Sequence, residues 1–129
     1  MDLTGLRVMV IDDSNTIRRS AEIFLGQAGC DVVLAEDGFD ALAKIADHQP
    51  DVIFMDIMMP RLDGYQTCAL IKRNARLAAT PVVMLSSKDG LFDRARGRMA
   101  GSSEYLTKPF TKDSLLKTVA EHALRAKTD

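Results

Sequence analysis

Short apolar runs recur along the chain at residues 8–11, 32–35, 52–55, 82–85 and 105–106, and a segment with helical spacing follows each of them. Runs that stay apolar at successive positions and are rich in Val, Ile, Leu and Met read as strands buried on both faces. Between them the spacing widens to three and four residues. Ile17, Ala21, Phe24 and Ala28 form one stripe, and Leu115, Leu116, Val119 and Ala123 another. Strict strand and helix alternation with short links leaves one main solution, an α/β fold in which a five-stranded parallel sheet carries helices on both faces.

Punctuation agrees with this order. Ser14 and Asp63 precede helical segments as N-caps, Gly29 and Gly101 follow others as C′ residues, and Pro50 and Pro81 stand in loops before strands. The fourth helix is the least regular. Gly90, Gly97 and the charges of Asp93, Arg94, Arg96 and Arg98 dilute its expected inward stripe of Leu91, Phe92, Ala95 and Met99, so this helix is expected to be mobile. At 129 residues, without a linker or repeat, residues 1–129 are expected to form a single domain.

In an open parallel sheet, ligands gather beyond the carboxyl ends of the strands. Those ends are polar here. The first strand runs into Asp12-Asp13, the third into Asp56, the fourth into Ser86-Ser87 and the fifth into Thr107-Lys108-Pro109. Carboxylates crowded in a partly desolvated site must share protons or bind a cation, and a hard oxygen-liking ion such as Mg2+ suits them. Asp13 and Asp56 would be direct ligands, Asp12 would act through water, and the backbone carbonyl of Met58 would complete the protein's share. Phosphoryl transfer asks for this kind of positioning and charge neutralisation. Asp56 would be the nucleophile, with Lys108 and Ser86 holding the phosphoryl oxygens.

Composition excludes several other classes. A net charge of -1 offers no general attraction to nucleic acid, and no stretch approaches the roughly 20 apolar residues of a membrane span. The two cysteines, Cys30 and Cys68, have no C-x-x-C spacing and read as buried thiols. The cytoplasm is the expected compartment and a monomer the expected state. Met55, Met58 and Met59 read as packing, and His48 and His122 as surface residues. Taken alone, Asp13 or Ser14 would be only a helix cap, Tyr105 ordinary packing, and Arg94, Arg96 and Arg98 a solvated face, with docking of an acidic partner as the alternative for the three arginines. The five-residue set Asp12, Asp13, Asp56, Ser86 and Lys108 has no such bland reading, because unpaired carboxylates at one sheet end are costly.

The segments VMVIDDSNTIRR, DVIFMDIMMPRLDGYQ, PVVMLSSK and YLTKPF resemble, in order and spacing, the receiver domain of bacterial two-component response regulators, over essentially the whole chain. The resemblance implies the CheY-like (flavodoxin-like) strand order 2-1-3-4-5, phosphorylation of Asp56 by a CheA-type histidine kinase, a switch through Ser86 and Tyr105, and a cis peptide before Pro109. It implies no output domain and no enzyme activity beyond the chain's own phosphorylation and dephosphorylation. DGFDALAKIAD, DIMMPRLDGYQTCALIK and SSKDGLFDRARGRMAGS look most like the PilG-type regulators of type IV pilus twitching motility, which implies a downstream pilus-regulating partner. Met58 and Lys88 stand where many relatives carry polar or acidic residues, and an apolar Met58 is expected to slow dephosphorylation.

Three other functions compete. A flavodoxin-like FMN site would want a Ser/Thr/Gly-rich first turn, whereas Asp12-Asp13 would repel the phosphate. A phosphatase similar to haloacid dehalogenases would want a D-x-D motif and a cap. A phosphate sink for a shared kinase would use the same chemistry as a positive regulator.

Overall fold

The computed structural model describes residues 2–87 and 94–124. Five strands, β1 (Arg7–Ile11), β2 (Asp31–Ala35), β3 (Val52–Asp56), β4 (Val82–Ser87) and β5 (Glu104–Lys108), form one parallel sheet in the order β2-β1-β3-β4-β5. The helices are α1 (Asn15–Gln27), α2 (Gly38–His48), α3 (Gly64–Lys72), α4 (Arg94–Ala100) and α5 (Lys112–Val119), and a π-helical turn, Ala120–Leu124, continues α5. This is the expected fold. Order reverses between β1 and β3, which opens a crevice at their carboxyl ends.

Side chains alternate across each strand and so divide the core in two. Val8, Val10, Val52, Phe54, Val83 and Leu85 face α1 and α5, where Ala21, Leu25, Leu115 and Val119 meet them. Met9, Ile11, Ile53, Met55 and Met84 face the other way, onto Ala41, Ile45, Cys68, Ile71 and Ala100 of α2, α3 and α4. Burial on both faces explains why the inner strands read as unbroken apolar runs.

Caps fix where the helices begin. The Ser14 hydroxyl accepts from the Ile17 N–H, and Asp63 forms a reciprocal capping box with Gln66. Asp37 caps α2 by accepting from the Asp40 N–H, and Thr111 caps α5 in a capping box with Ser114. Gly29 and Gly101 take φ values of 92° and 96°, the left-handed conformation of a C′ residue. The Lys108–Pro109 peptide is cis.

Several expectations need correction. In α4 the buried residues are Gly97 and Ala100, while Ala95 is exposed and Met99 is 88% exposed. Small residues let α4 lie close to α3, where the Cys68 thiol donates to the Ala100 carbonyl at 3.2 Å. Lys88, Gly90, Leu91, Phe92 and Asp93 lie outside the described residues. His48 is no surface residue: its side chain is 8% exposed, the Asp31 carboxylate lies 4.0 Å from Nε2, and among the described residues neither ring nitrogen has a hydrogen-bond partner. His122 is largely buried against Glu104. Cys68 is buried as expected but Cys30 only half-buried; both are free, and burial pushes each thiol up to about 11.

Candidate functional site

The ends of β1, β3 and β5 bring three groups into direct contact. Asp12 follows β1 and is fully buried; Asp56 closes β3 and is 3% exposed. The Lys108 ammonium, at the end of β5, donates to Asp12 Oδ2 at 3.1 Å and to Asp56 Oδ1 at 2.9 Å. Asp13 lies at the exposed rim, and one carboxylate oxygen each from Asp12, Asp13 and Asp56 fall within 4.8 Å of one another.

Local structure holds each group in place. Asp12 Oδ1 accepts from the Ser14 N–H at 2.8 Å, while the Asp12 carbonyl accepts from the Arg18 guanidinium at 2.6 Å. Arg18 was not anticipated from sequence. Nor was Gly64, the first residue of α3, whose N–H donates to the Ile57 carbonyl at 2.8 Å. A Cβ there would lie 2.3 Å from the Asp56 carbonyl oxygen and 2.8 Å from Ile57 Cα, both backbone atoms that cannot swing aside. The close approach of α3 to the end of β3 thus requires glycine.

Electrostatics mark Asp56 out. Burial, working with the charge of Asp12 and a hydrogen bond shared with Asp13, pushes its carboxyl up to about 7 against the pull of Lys108. Burial disfavours the Lys108 ammonium, but its bond to Asp56 and the charges of Asp12 and Asp56 outweigh that, and its pKa is raised. Three carboxylates face one ammonium, an imbalance that a divalent cation with oxygen preference would cancel. The donor set therefore fits Mg2+.

The remaining predicted residues lie around this centre. Ser86 is buried, and its hydroxyl donates to the Ser87 carbonyl at 3.3 Å. Met58, two residues past Asp56, turns its side chain outward with 77% exposure, so the packing role expected for it is not observed, whereas Met55 and Met59 are buried. Tyr105 is half-buried; Arg94 donates to its hydroxyl at 3.1 Å, with the guanidinium 5.4 Å from the ring centroid. Arg96 lies 4.4 Å from the Tyr65 ring centroid and 3.7 Å from Asp63. All three arginines are exposed, as expected of a solvated face, and two of them, Arg94 and Arg96, also lie over aromatic rings. A cavity of about 500 Å³ opens beside them, lined by Arg94, Arg98, Ser102, Ser103, Glu104 and Tyr105.

Residues 8–120 match the model of the response regulator receiver domain. The chain is 69% identical to the Pseudomonas aeruginosa protein PilG over 118 residues, covering 92% of this chain and 87% of PilG. It is 37% identical to PilH of the same organism, over 88% of this chain and 93% of PilH. Among solved structures, the Vibrio cholerae chemotaxis protein CheY4 superposes with a TM-score of 0.86 at 32% identity, over 91% of this chain and 98% of that one. Receiver domains generally bind Mg2+ in an acidic pocket and signal by phosphorylation. By sequence and by fold alike, this chain belongs to the response regulator receiver domain family, the switches of phosphorelay signalling.

Proposed function

We propose that Asp56 accepts a phosphoryl group from a CheA-type histidine kinase in a Mg2+-dependent reaction, and that the chain passes the signal on through altered protein contacts. The observation that carries this reading is the Lys108 ammonium shared between the buried carboxylates Asp12 and Asp56. That ammonium supports the reading because a phosphoryl group on Asp56 would need a positive charge beside it. Mg2+ held by Asp12, Asp13, Asp56 and the Met58 backbone carbonyl would supply the rest of the charge neutralisation.

Asp56 must be ionised to react. Its oxygen attacks phosphorus in line; the new O–P bond forms as the P–N bond to the kinase histidine breaks, and the imidazole nitrogen leaves with the electron pair. Lys108 then exchanges its bond to Asp56 for one to a phosphoryl oxygen. The Ser86 hydroxyl turns from the Ser87 carbonyl to donate to another. Tyr105 follows by turning further inward, which requires Arg94 to release it. Two states separated by only a few kcal/mol suffice for such a switch.

The likeness to PilG supports an output on a regulator of the type IV pilus machinery. On this reading the chain works as a monomer in the cytoplasm, catalyses only its own phosphorylation and dephosphorylation, and meets neither nucleic acid nor membrane. The test is phosphotransfer from a CheA-type kinase in Mg2+, followed by intact mass. The chain should gain one phosphoryl group and Asp56→Asn none; a variant that still gained it would refute the assignment.

A further inference from the structure

Among the described residues a second cluster repeats the geometric property of the acidic pocket. One ligand atom each from Glu104, Glu121 and His122 lie within 4.8 Å of one another. Glu104 opens β5, whereas Glu121 and His122 are neighbours in the π-helical turn after α5, so two separate elements converge. We propose that these three side chains form a second divalent-metal site, selective for a borderline transition ion such as Zn2+, which ties the end of the last helix to the start of the last strand.

The imidazole separates this cluster from an ordinary acidic patch. Nε2 of His122 carries at most one hydrogen, and its partner is Glu104. That hydrogen cannot also serve Glu121, whose carboxylate converges on the same point. A divalent cation accepts a lone pair from all three atoms at once. An imidazole nitrogen beside two carboxylate oxygens shifts the preference toward a borderline ion, whereas the oxygen-only set at Asp12, Asp13 and Asp56 favours a hard one. Burial agrees, since the His122 side chain is 15% exposed and that of Glu104 37%, leaving one side accessible.

The π turn points the same way. Adjacent residues of an α-helix diverge by about 100° and rarely face one target. The wider π winding lowers that divergence, and such turns concentrate at functional sites. Glu104 also lines the 500 Å³ cavity, which gives an ion a path from solvent. Because Tyr105 follows Glu104 directly, a bound ion would restrain the strand that carries the switch residue.

The test is calorimetric titration of Zn2+ into the full chain with Mg2+ in excess to occupy the acidic pocket. One equivalent of Zn2+ should bind, at least about tenfold more weakly in Glu104→Gln and His122→Gln and unchanged in Asp13→Asn. The exposed Glu121→Gln should weaken it too, and that variant carries the test if either buried one unfolds. Co2+ used as a spectroscopic substitute should show the visible bands of a low-coordinate nitrogen and oxygen site, lost in His122→Gln. Equal Zn2+ affinity in the chain and in Glu121→Gln, or loss in Asp13→Asn alone, would overturn the proposal.

Discussion

The two ends of the sheet carry the same kinds of group in different surroundings. At the amino end, Arg7 opens β1 and Asp31 opens β2, while Asp51 precedes β3. The Arg7 backbone N–H donates to Asp51 at 2.8 Å, its guanidinium donates to the His48 carbonyl at 3.3 Å, and the Asp31 side chain is 66% exposed. At the carboxyl end, Asp12 and Asp56 are almost without solvent and depend on Lys108 and one another. Water bears the cost of charge at the first end, and only neighbouring side chains bear it at the second. Desolvation, and not the number of carboxylates, is what sets the functional end apart.

That contrast can be broken most sharply with metal. Asp13→Asn should weaken Mg2+ binding by roughly 100-fold, since it removes a ligand and a charge, whereas Asp31→Asn should leave it unchanged. Calorimetry reads both, and an equal loss in the two variants would dissolve the distinction. Next in size is a pH effect. Folded, the metal-free Asp56 carboxyl keeps its proton up to about 7, while unfolded it returns to its ordinary value of 3.8. Between those values the folded state binds more protons, so stability falls as pH rises through the window. Asp56→Asn should flatten that part of the curve of stability against pH. Mg2+ must displace the proton, so it should raise the Tm more above the window than below it.

Ser14→Ala tests the charged end without touching a charge. Losing the bond to the Ile17 N–H should cost about 1 kcal/mol in urea unfolding with little change in Mg2+ affinity. The smallest effect is expected at His48, at the amino end. Burial lowers the pKa of this imidazole despite the nearby Asp31 carboxylate. The unfolded chain therefore takes up the proton first, and stability is lost as pH falls through the ordinary histidine value of 6.5. His48→Leu should remove that loss and, by replacing two buried nitrogens that lack a hydrogen bond among the described residues, leave stability at neutral pH unchanged or higher by up to about 1 kcal/mol.

The sheet and the charged centre were legible in the sequence because both follow from chain periodicity. Strands buried on both faces leave apolar runs, and the polar residue that ends each run must lie at the same edge of the sheet. The same logic brought Asp12, Asp13, Asp56 and Lys108 together without any knowledge of side-chain direction. It failed where contact depends on distance between elements. In α4, hydrophobicity points Met99 inward, yet Gly97 and Ala100 are the buried positions, on the side where the Cys68 thiol of α3 meets the Ala100 carbonyl. Arg18 looks like any surface arginine of α1, and only the folded turn brings it to the Asp12 carbonyl. His48 ends an amphipathic helix, where sequence gives no sign of a ring turned inward.

Gly64 has a consequence for mutational tolerance. Variants scored only for folding should rank position 64 among the least permissive near the site, because any side chain there must push against the main chain that carries Asp56. Asp56→Asn, by contrast, should pass such a screen easily, because relieving a buried charge costs the fold little. A library sorted for abundance and then for signalling would separate the residue that shapes the site from the residue that the site serves.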